Sequence, residues 1–138
     1  MGNRESKQQI KMGEIYWVRL HGKNHVQNGW HPAIVTQNNI GNTFSDTVVV
    51  VPITTKRRKS KLPTHIDLPN GIGGLARPST AQCEGQRPVS KDDFGKYIGT
   101  LDDITMRKIS MGCLINTPYQ TYISEEDLML LKENRKIC

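Results

Sequence analysis

A continuous apolar run, Thr47 to Ile53 (TVVVVPI), constrains the fold of this chain more than any other stretch. A run without polar alternation is typical of a strand that is buried on both faces. Pro52 has no backbone N–H to donate, which predicts that regular strand pairing ends there. Thr54 and Thr55 would then lie where a core strand reaches the surface.

Further strand signals lie on both sides of this run. They are segments rich in aromatic and β-branched residues, bounded by Gly, Pro and Asn. They predict strands over Glu14–Leu20, Pro32–Gln37, Thr64–Leu68, Ser79–Val89 and Tyr97–Leu101. Asn38–Asn42 is predicted to be a turn, and Gly85 a bulge or bend within its strand.

The last third of the chain has helical patterns instead. Asp102 and Asp103 offer N-cap chemistry for a helix that ends near Asn116. A second helix is predicted to begin at the acidic segment Ser124–Asp127. Short strands followed by helices predict an α+β protein that is mainly β, a small half-open β-barrel with helices packed against it.

The length, the cysteines and the apolar segments of the chain indicate what kind of protein it is. A chain of 138 residues suits one domain that needs no disulfide or metal to fold. Its three cysteines are too widely spaced for a disulfide framework or a zinc site, so Cys83 and Cys113 are expected in the core. We find no membrane-length apolar segment and no signal peptide, which predicts a soluble cytoplasmic protein.

The positive charge points to an anionic partner. The net charge of +6 favours partners that carry phosphate or acidic protein surfaces. Lys56–Lys61 (KRRKSK) carries five positive charges in six residues and directly follows Thr54 and Thr55. A charge run is often only a solvated surface, but this position favours contact with a nucleic-acid backbone.

Several short motifs occur in an order that matches a known family. They are G-E-I-Y-W-V at 13–18, H-P-A-I-V-T-Q-N at 31–38, I-G-N-T-F-S at 40–45, V-V-V-P-I-T at 49–54, K-L-P-T-H-I-D-L at 61–68, C-E-G-Q-R at 83–87 and I-G-T-L-D-D at 98–103. Over roughly residues 12–116 the chain resembles the MazF/PemK family of toxin endoribonucleases.

The resemblance implies an SH3-like barrel of the CcdB/PemK type and a type II toxin–antitoxin system. Such a toxin is a homodimer that cleaves single-stranded mRNA at short sequences, without a metal ion or other cofactor and away from membranes. A cognate antitoxin inhibits it by covering the RNA groove. The implied division is a flexible N-terminus at 1–11, a toxin domain at 12–116 and a C-terminal helical extension at 117–138, packed on the same domain.

The resemblance also implies the catalytic residues. The hydroxyl that ends the family's P-I-T motif falls on Thr54, and an arginine that opens the second strand falls on His31. Histidine lacks the permanent charge and planar fork of arginine but titrates near neutral pH. His31 is therefore expected to act as general acid or base, with Lys56, Arg57 or Arg58 binding the phosphate.

The loop before His31 is expected to contact RNA through His25, Gln27 and Trp30. Gln27 fits the family's glycine-rich loop, whereas Val26 replaces its acidic residue. Trp30 offers a face on which a base can stack. His65, within the family-like P-T-H motif, is expected to have a structural role in its strand.

The sequence also fits two other functions. Loss of the arginine at His31 favours a noncatalytic module that binds RNA or an antitoxin without cleaving. A gyrase-binding toxin of the same fold is a third possibility, and it would depend on the C-terminal helix rather than on Thr54.

Overall fold

The computed structural model describes residues 9–23, 28–56 and 62–134, which form one open antiparallel sheet and three α-helices. The strands are β1 (Glu14–Leu20), β2 (Gly29–Val35), β3 (Thr47–Thr54), β4 (His65–Leu68), β5 (Ser79–Gln82), β6 (Arg87–Ser90) and β7 (Phe94–Thr100). The helices are α1 (Asn39–Phe44), α2 (Asp103–Asn116) and α3 (Glu125–Asn134). The predicted α+β class with an unclosed, mainly β barrel is confirmed.

Strand β3 is the centre of the sheet. The strand order is β4, β5, β3, β2, β1, β7, and β6 also pairs with β3. The first half of β3 pairs with β6 and its last two residues pair with β5, while β2 lies along its other edge. The end of β3 is therefore held by neighbours that come from distant parts of the chain.

Alternate residues of β3 enter two separate cores. Val50 packs in a cluster with Tyr16 and Phe94, whereas Val51 packs in a cluster with Ile109 of α2. Side chains alternate between the faces of a strand, so both faces of β3 are covered. The predicted burial of this run on both faces is confirmed.

The prediction that pairing ends at Pro52 is wrong. Pro52 pairs with Ala33 of β2, and the next two residues, Ile53 and Thr54, pair with β5. Proline lacks the donor for only one ladder bond, so β3 continues past it. Pro52 is the last residue of β3 that pairs with β2, and Thr54 is still paired with β5 on the opposite edge.

Asn38–Asn42, predicted to be a turn, instead begins helix α1. The side chain of Asn38 caps the helix by accepting a hydrogen bond from the Gly41 N–H at 2.8 Å. The buried Asn42 amide donates to the Gln37 carbonyl at 2.9 Å. Residues that favour turns also favour helix caps, which explains the error.

The segment predicted as one strand over Ser79–Val89 is two strands. A 3₁₀ turn at Cys83–Gly85 separates β5 from β6, and both strands pair with β3. Gly85 lies within this turn, where a Cβ atom would stand 2.9 Å from Pro52 Cγ. Close approach of the turn to β3 therefore requires glycine, and the predicted bend extends over three residues.

Both predicted helix starts are confirmed. Asp102 Oδ1 accepts a hydrogen bond from the Thr105 N–H at 2.7 Å at the start of α2. Ser124 and Asp127 exchange side-chain and backbone hydrogen bonds at 3.1 and 3.0 Å before α3. Helix α3 has no buried residue. Within the described ranges, no helix is long and apolar enough to cross a membrane.

The two cysteines expected in the core lie against each other between α2 and the 3₁₀ turn. Cys83 is buried, and Cys113 is partly buried against the same cluster. A hydrogen bond that Cys83 donates to Cys113 and burial both raise the pKa of the Cys83 thiol, and the same hydrogen bond lowers the pKa of Cys113. Their packing joins α2 to the segment that precedes Glu84.

Candidate active site

Three adjacent strands bring polar side chains together at the end of β3. Thr54 pairs with Thr80 of β5, and Thr80 pairs with Asp67 of β4. Directly paired residues present their side chains on the same face of a sheet. These residues line a cavity of about 390 Å³ together with Thr55, Lys56, His65, Leu68, Pro69, Pro78, Ser79 and Gln82.

The Thr54 side chain is half-buried at the wall of this cavity. Its Oγ1 accepts a hydrogen bond from the Lys56 N–H at 3.2 Å. A hydroxyl group that accepts one hydrogen bond can also donate one, so Thr54 has the chemistry to donate to an oxygen of a ligand in the cavity. Lys56 is exposed and supplies a positive charge at the same wall.

His65, one of the lining residues, belongs to a group of hydrogen-bonded side chains. The His65 side chain is only 2% exposed, and its Nε2 lies 2.6 Å from Glu84 Oε2. His65 Nδ1 accepts from the Leu62 N–H at 3.1 Å, so Nε2 carries the proton that is donated to Glu84. Thr64 donates to Glu84 Oε1 at 2.9 Å. The expected structural role of His65 fits these contacts.

These contacts hold Glu84 as a carboxylate. Burial by itself raises the pKa of Glu84, but hydrogen bonds from His65, from its own backbone and from Thr64 lower it, and the net pKa lies below the ordinary value. The folded protein therefore favours the ionised form. Glu84 ties the 3₁₀ turn at Cys83–Gly85 to the start of β4.

Glu84→Gln should lower the free energy of unfolding at pH 7 by about 1 kcal/mol, because neutral hydrogen bonds replace charge-assisted ones. A depressed pKa stabilises the fold above the ordinary glutamate pKa of about 4.3, and this contribution is lost as the pH falls through the folded value. Urea unfolding should thus show a difference between the two proteins at pH 7 that shrinks as the pH falls below about 4.

The exposed Glu133 of α3 provides the matched control. Glu133→Gln should change neither the stability at pH 7 nor its dependence on pH. An equal loss for Glu84→Gln at neutral and at acidic pH would contradict the proposed role of the carboxylate charge.

His31 lies on the same sheet face as Thr54 but outside the cavity lining. It alternates with Ala33, which is paired with Pro52, and Pro52 in turn alternates with Thr54. His31 Nε2 donates to the Asn28 carbonyl at 2.8 Å, which leaves Nδ1 with its lone pair. The two catalytic candidates thus share a face of neighbouring strands.

Trp30 is placed on the opposite face of β2 from His31. It pairs with Arg19 of β1, and the Arg19 guanidinium carbon lies 5.3 Å from the centre of the indole ring. Arg19 also approaches Asp93 at 3.9 Å. The structure therefore does not bring Trp30 together with Thr54, and one side of its ring is already in contact with a cation.

The other predicted RNA contacts lie outside the described residues. These are His25, Gln27, Arg57 and Arg58. Of the basic segment, Lys56 alone is described, and it lines the cavity. Within the described ranges, no group of three His, Cys, Asp or Glu side chains is placed to hold a metal ion.

Sequence reasoning missed the residues that β4 and β5 contribute. Asp67, Thr80 and Gln82 line the cavity only because these strands pair beside the end of β3. Glu84, in the turn that follows β5, contacts the lining residue His65. Thr80 and Gln82 of β5 flank Ala81, which is a weak signal of one polar face. Nothing in the local pattern indicates which strand lies next to β5.

Comparison with known sequences identifies the family. The family described as PemK-like, MazF-like toxin of type II toxin-antitoxin system matches residues 11–114. Endoribonuclease EndoA of Bacillus subtilis is 37% identical over 101 residues, which span 72% of this chain and 87% of that protein. Endoribonuclease MazF of Staphylococcus saprophyticus is 28% identical over 102 residues, 73% of this chain and 85% of that protein.

Solved structures show the same fold. A mycobacterial endoribonuclease in complex with its cognate antitoxin superposes with a TM-score of 0.67 at 25% identity, over 79% of this chain and 95% of that chain. MazF from Deinococcus radiodurans gives a TM-score of 0.66 at 16% identity, over 78% of this chain and 96% of that chain. With a family match over residues 11–114, this chain belongs to the PemK-like, MazF-like toxins of type II toxin–antitoxin systems.

Proposed function

We propose that this toxin is an endoribonuclease that cleaves single-stranded mRNA at short sequences without a metal ion. The observation that carries the proposal is that Thr54 and Lys56 together line a polar cavity at the end of a buried strand. The names of the relatives EndoA and MazF as endoribonucleases support the same activity. The family match at 11–114 supports a toxin domain over 12–116, followed by the extension at 117–138.

The cleavage step uses the 2′-hydroxyl of the RNA as the nucleophile. Its oxygen forms a bond to the phosphorus while the bond to the 5′-oxygen breaks, which leaves a 2′,3′-cyclic phosphate and a 5′-hydroxyl. Thr54 donates its proton to a non-bridging phosphate oxygen, and Lys56, with Arg57 and Arg58, offsets the developing negative charge. His31 Nδ1 serves one of the two proton transfers, either as the base that takes the 2′-hydroxyl proton or as the acid that protonates the leaving 5′-oxygen, and water serves the other.

A second candidate function is RNA or antitoxin binding without cleavage. Two observations favour it: His31 donates a hydrogen bond to the Asn28 carbonyl, and His31 is not one of the residues that line the cavity. A histidine held in this way can have a purely structural role. The gyrase-binding alternative has no such observation in its favour.

The proposed partners follow from the family. We expect the protein to act as a homodimer in the cytoplasm. We also expect a cognate antitoxin to inhibit it by covering the cavity. Support for an antitoxin comes from the mycobacterial relative, whose structure was solved in complex with its own antitoxin. The net charge of +6 suits an acidic inhibitor as well as RNA.

The test is incubation of the purified protein in EDTA with a long, unstructured RNA, followed by mapping of new 5′ ends. We expect discrete cuts with 5′-hydroxyl ends, and a loss of rate of about 100-fold for His31→Ala if His31 transfers the proton. Arg107→Ala, an exposed change on α2, is the control and should cut at the wild-type rate.

Intact RNA that is nevertheless bound would instead establish the binding module. RNA that is neither cut nor bound would refute both functions. Normal cutting by His31→Ala would assign the chemistry to Thr54 and the basic residues and leave His31 a structural role.

A further inference from the structure

Arg87, at the start of β6, is a partly buried cation that the proposed mechanism does not use. Its Nε donates to the Gly85 carbonyl at 3.1 Å. No carboxylate forms an ion pair with it among the described residues. Burial lowers the pKa of Arg87, which reflects the cost of removing its charge from water.

The position of Arg87 directs this cation towards the candidate active site. Arg87 pairs with Val50, so its side chain lies on the face of β3 that also carries Pro52 and Thr54. A Cβ atom at Gly85 would lie 2.9 Å from Pro52 Cγ and 3.7 Å from Arg87 Nη2. The guanidinium group is therefore turned along β3 from Val50 towards Pro52, two residues before Thr54.

Arg87 also lies on the same sheet face as His31 and offers the planar fork that His31 lacks. Strands β2 and β6 flank β3 on opposite edges, and they place His31 and Arg87 on the same face. The family-like arginine position on β2 is occupied by histidine, which has no planar fork for a phosphate. The guanidinium group of Arg87 lies on this face at the edge of β3 opposite β2.

We infer that Arg87 binds a phosphate of the RNA backbone, next to the phosphate held at Thr54. This inference rests on the proposed function. A partly desolvated charge without a carboxylate partner is unfavourable in the free protein. The guanidinium fork matches two phosphate oxygens, so a bound phosphate satisfies both the charge and the donors of Arg87.

The test compares Arg87→Gln with Arg107→Gln, which removes the same charge from the exposed surface of α2. Binding is measured by fluorescence anisotropy with a labelled 2′-O-methyl RNA of mixed sequence, in which the attacking hydroxyl is blocked. We expect Arg87→Gln to weaken binding about tenfold and to reduce the slope of log affinity against log salt by about 0.7, the value for one phosphate contact on a single strand. Arg107→Gln should change neither quantity.

A measurement of stability separates this role from a structural one. Because Arg87 has no carboxylate partner in the described fold, Arg87→Met should unfold at the same or a higher temperature than the wild type while it shows the same loss of binding. Arg87→Met also serves as the variant to test if Arg87→Gln does not fold.

The outcomes distinguish the inference from the proposed function. An unchanged salt slope in Arg87→Gln or Arg87→Met, in a protein that still binds and cuts RNA, would overturn the inference alone. Loss of folding in both variants would also overturn it, since it would assign Arg87 to the stability of β6. A wild-type protein that neither binds nor cuts RNA would overturn both.

Discussion

Thr54→Val should reduce the rate of RNA cleavage by a factor of about 100 to 1,000, the usual cost of removing one donor to a developing oxyanion. Valine keeps the shape of the side chain and the packing at the end of β3. It removes the hydroxyl proton, and it also removes the acceptor for the Lys56 N–H. Binding of RNA should weaken much less than cleavage, because the basic residues remain.

The measurement is a single-turnover cleavage rate on a fixed RNA, with affinity determined in parallel. Thr47→Val provides the matched control, since Thr47 is an exposed threonine at the opposite end of the same strand. It should cut at the wild-type rate. Equal rates for Thr54→Val and the wild type would exclude a catalytic role for the Thr54 hydroxyl.

Gly99→Ala should destabilise the fold by about 3 kcal/mol or more, because the substitution overpacks a site made of backbone atoms. Gly99 lies on β7 opposite Ile15. A Cβ atom there would stand 2.2 Å from the Gly73 carbonyl oxygen and 3.1 Å from the Gly74 nitrogen. Neither neighbour can rotate away as a side chain could, so the 3₁₀ turn at Ile72–Gly74 would have to leave the sheet.

The control for this change is Gly71→Ala in the loop that leads into the same turn. Gly71 has a φ of +88°, and a Cβ atom added to it would meet no other atom within 4 Å, so the cost there is backbone strain alone, about 1–2 kcal/mol. Urea unfolding of the two variants measures the difference. Equal stability of Gly99→Ala and Gly71→Ala would contradict the close packing of this turn against β7.

The elements that were predicted correctly are those with strong local signals. The apolar run of β3 and the acidic caps of α2 and α3 each specify their own structure over a few residues. Two errors arose where one local signal fits two structures. Asn38 can begin a turn or cap a helix, and a proline can end a strand or lie within one whose pairing continues on the other edge.

The residues of the candidate site also divide into those with strong local signals and those whose position depends on strand pairing. Thr54 was found because it ends an unmistakable strand and a family-like motif, and Lys56 because it begins a dense basic run. Trp30 was placed with them by its position in a loop, but alternation along β2 puts it on the opposite face from His31. Arg87 was not singled out, since its importance depends on the face of β3 that it shares.

By itself, the sequence determined the strand and helix signals, the basic segment after β3 and the family. These depend on residues that are neighbours along the chain or on motifs in order. The tertiary structure alone decided that β5 and β6 pair with β3 and that β4 pairs with β5, which brings His65, held by Glu84, to the cavity and Arg87 onto the face of Thr54. The physical reason is strand register, since pairing between distant segments sets which side chains share a face and no local pattern encodes it.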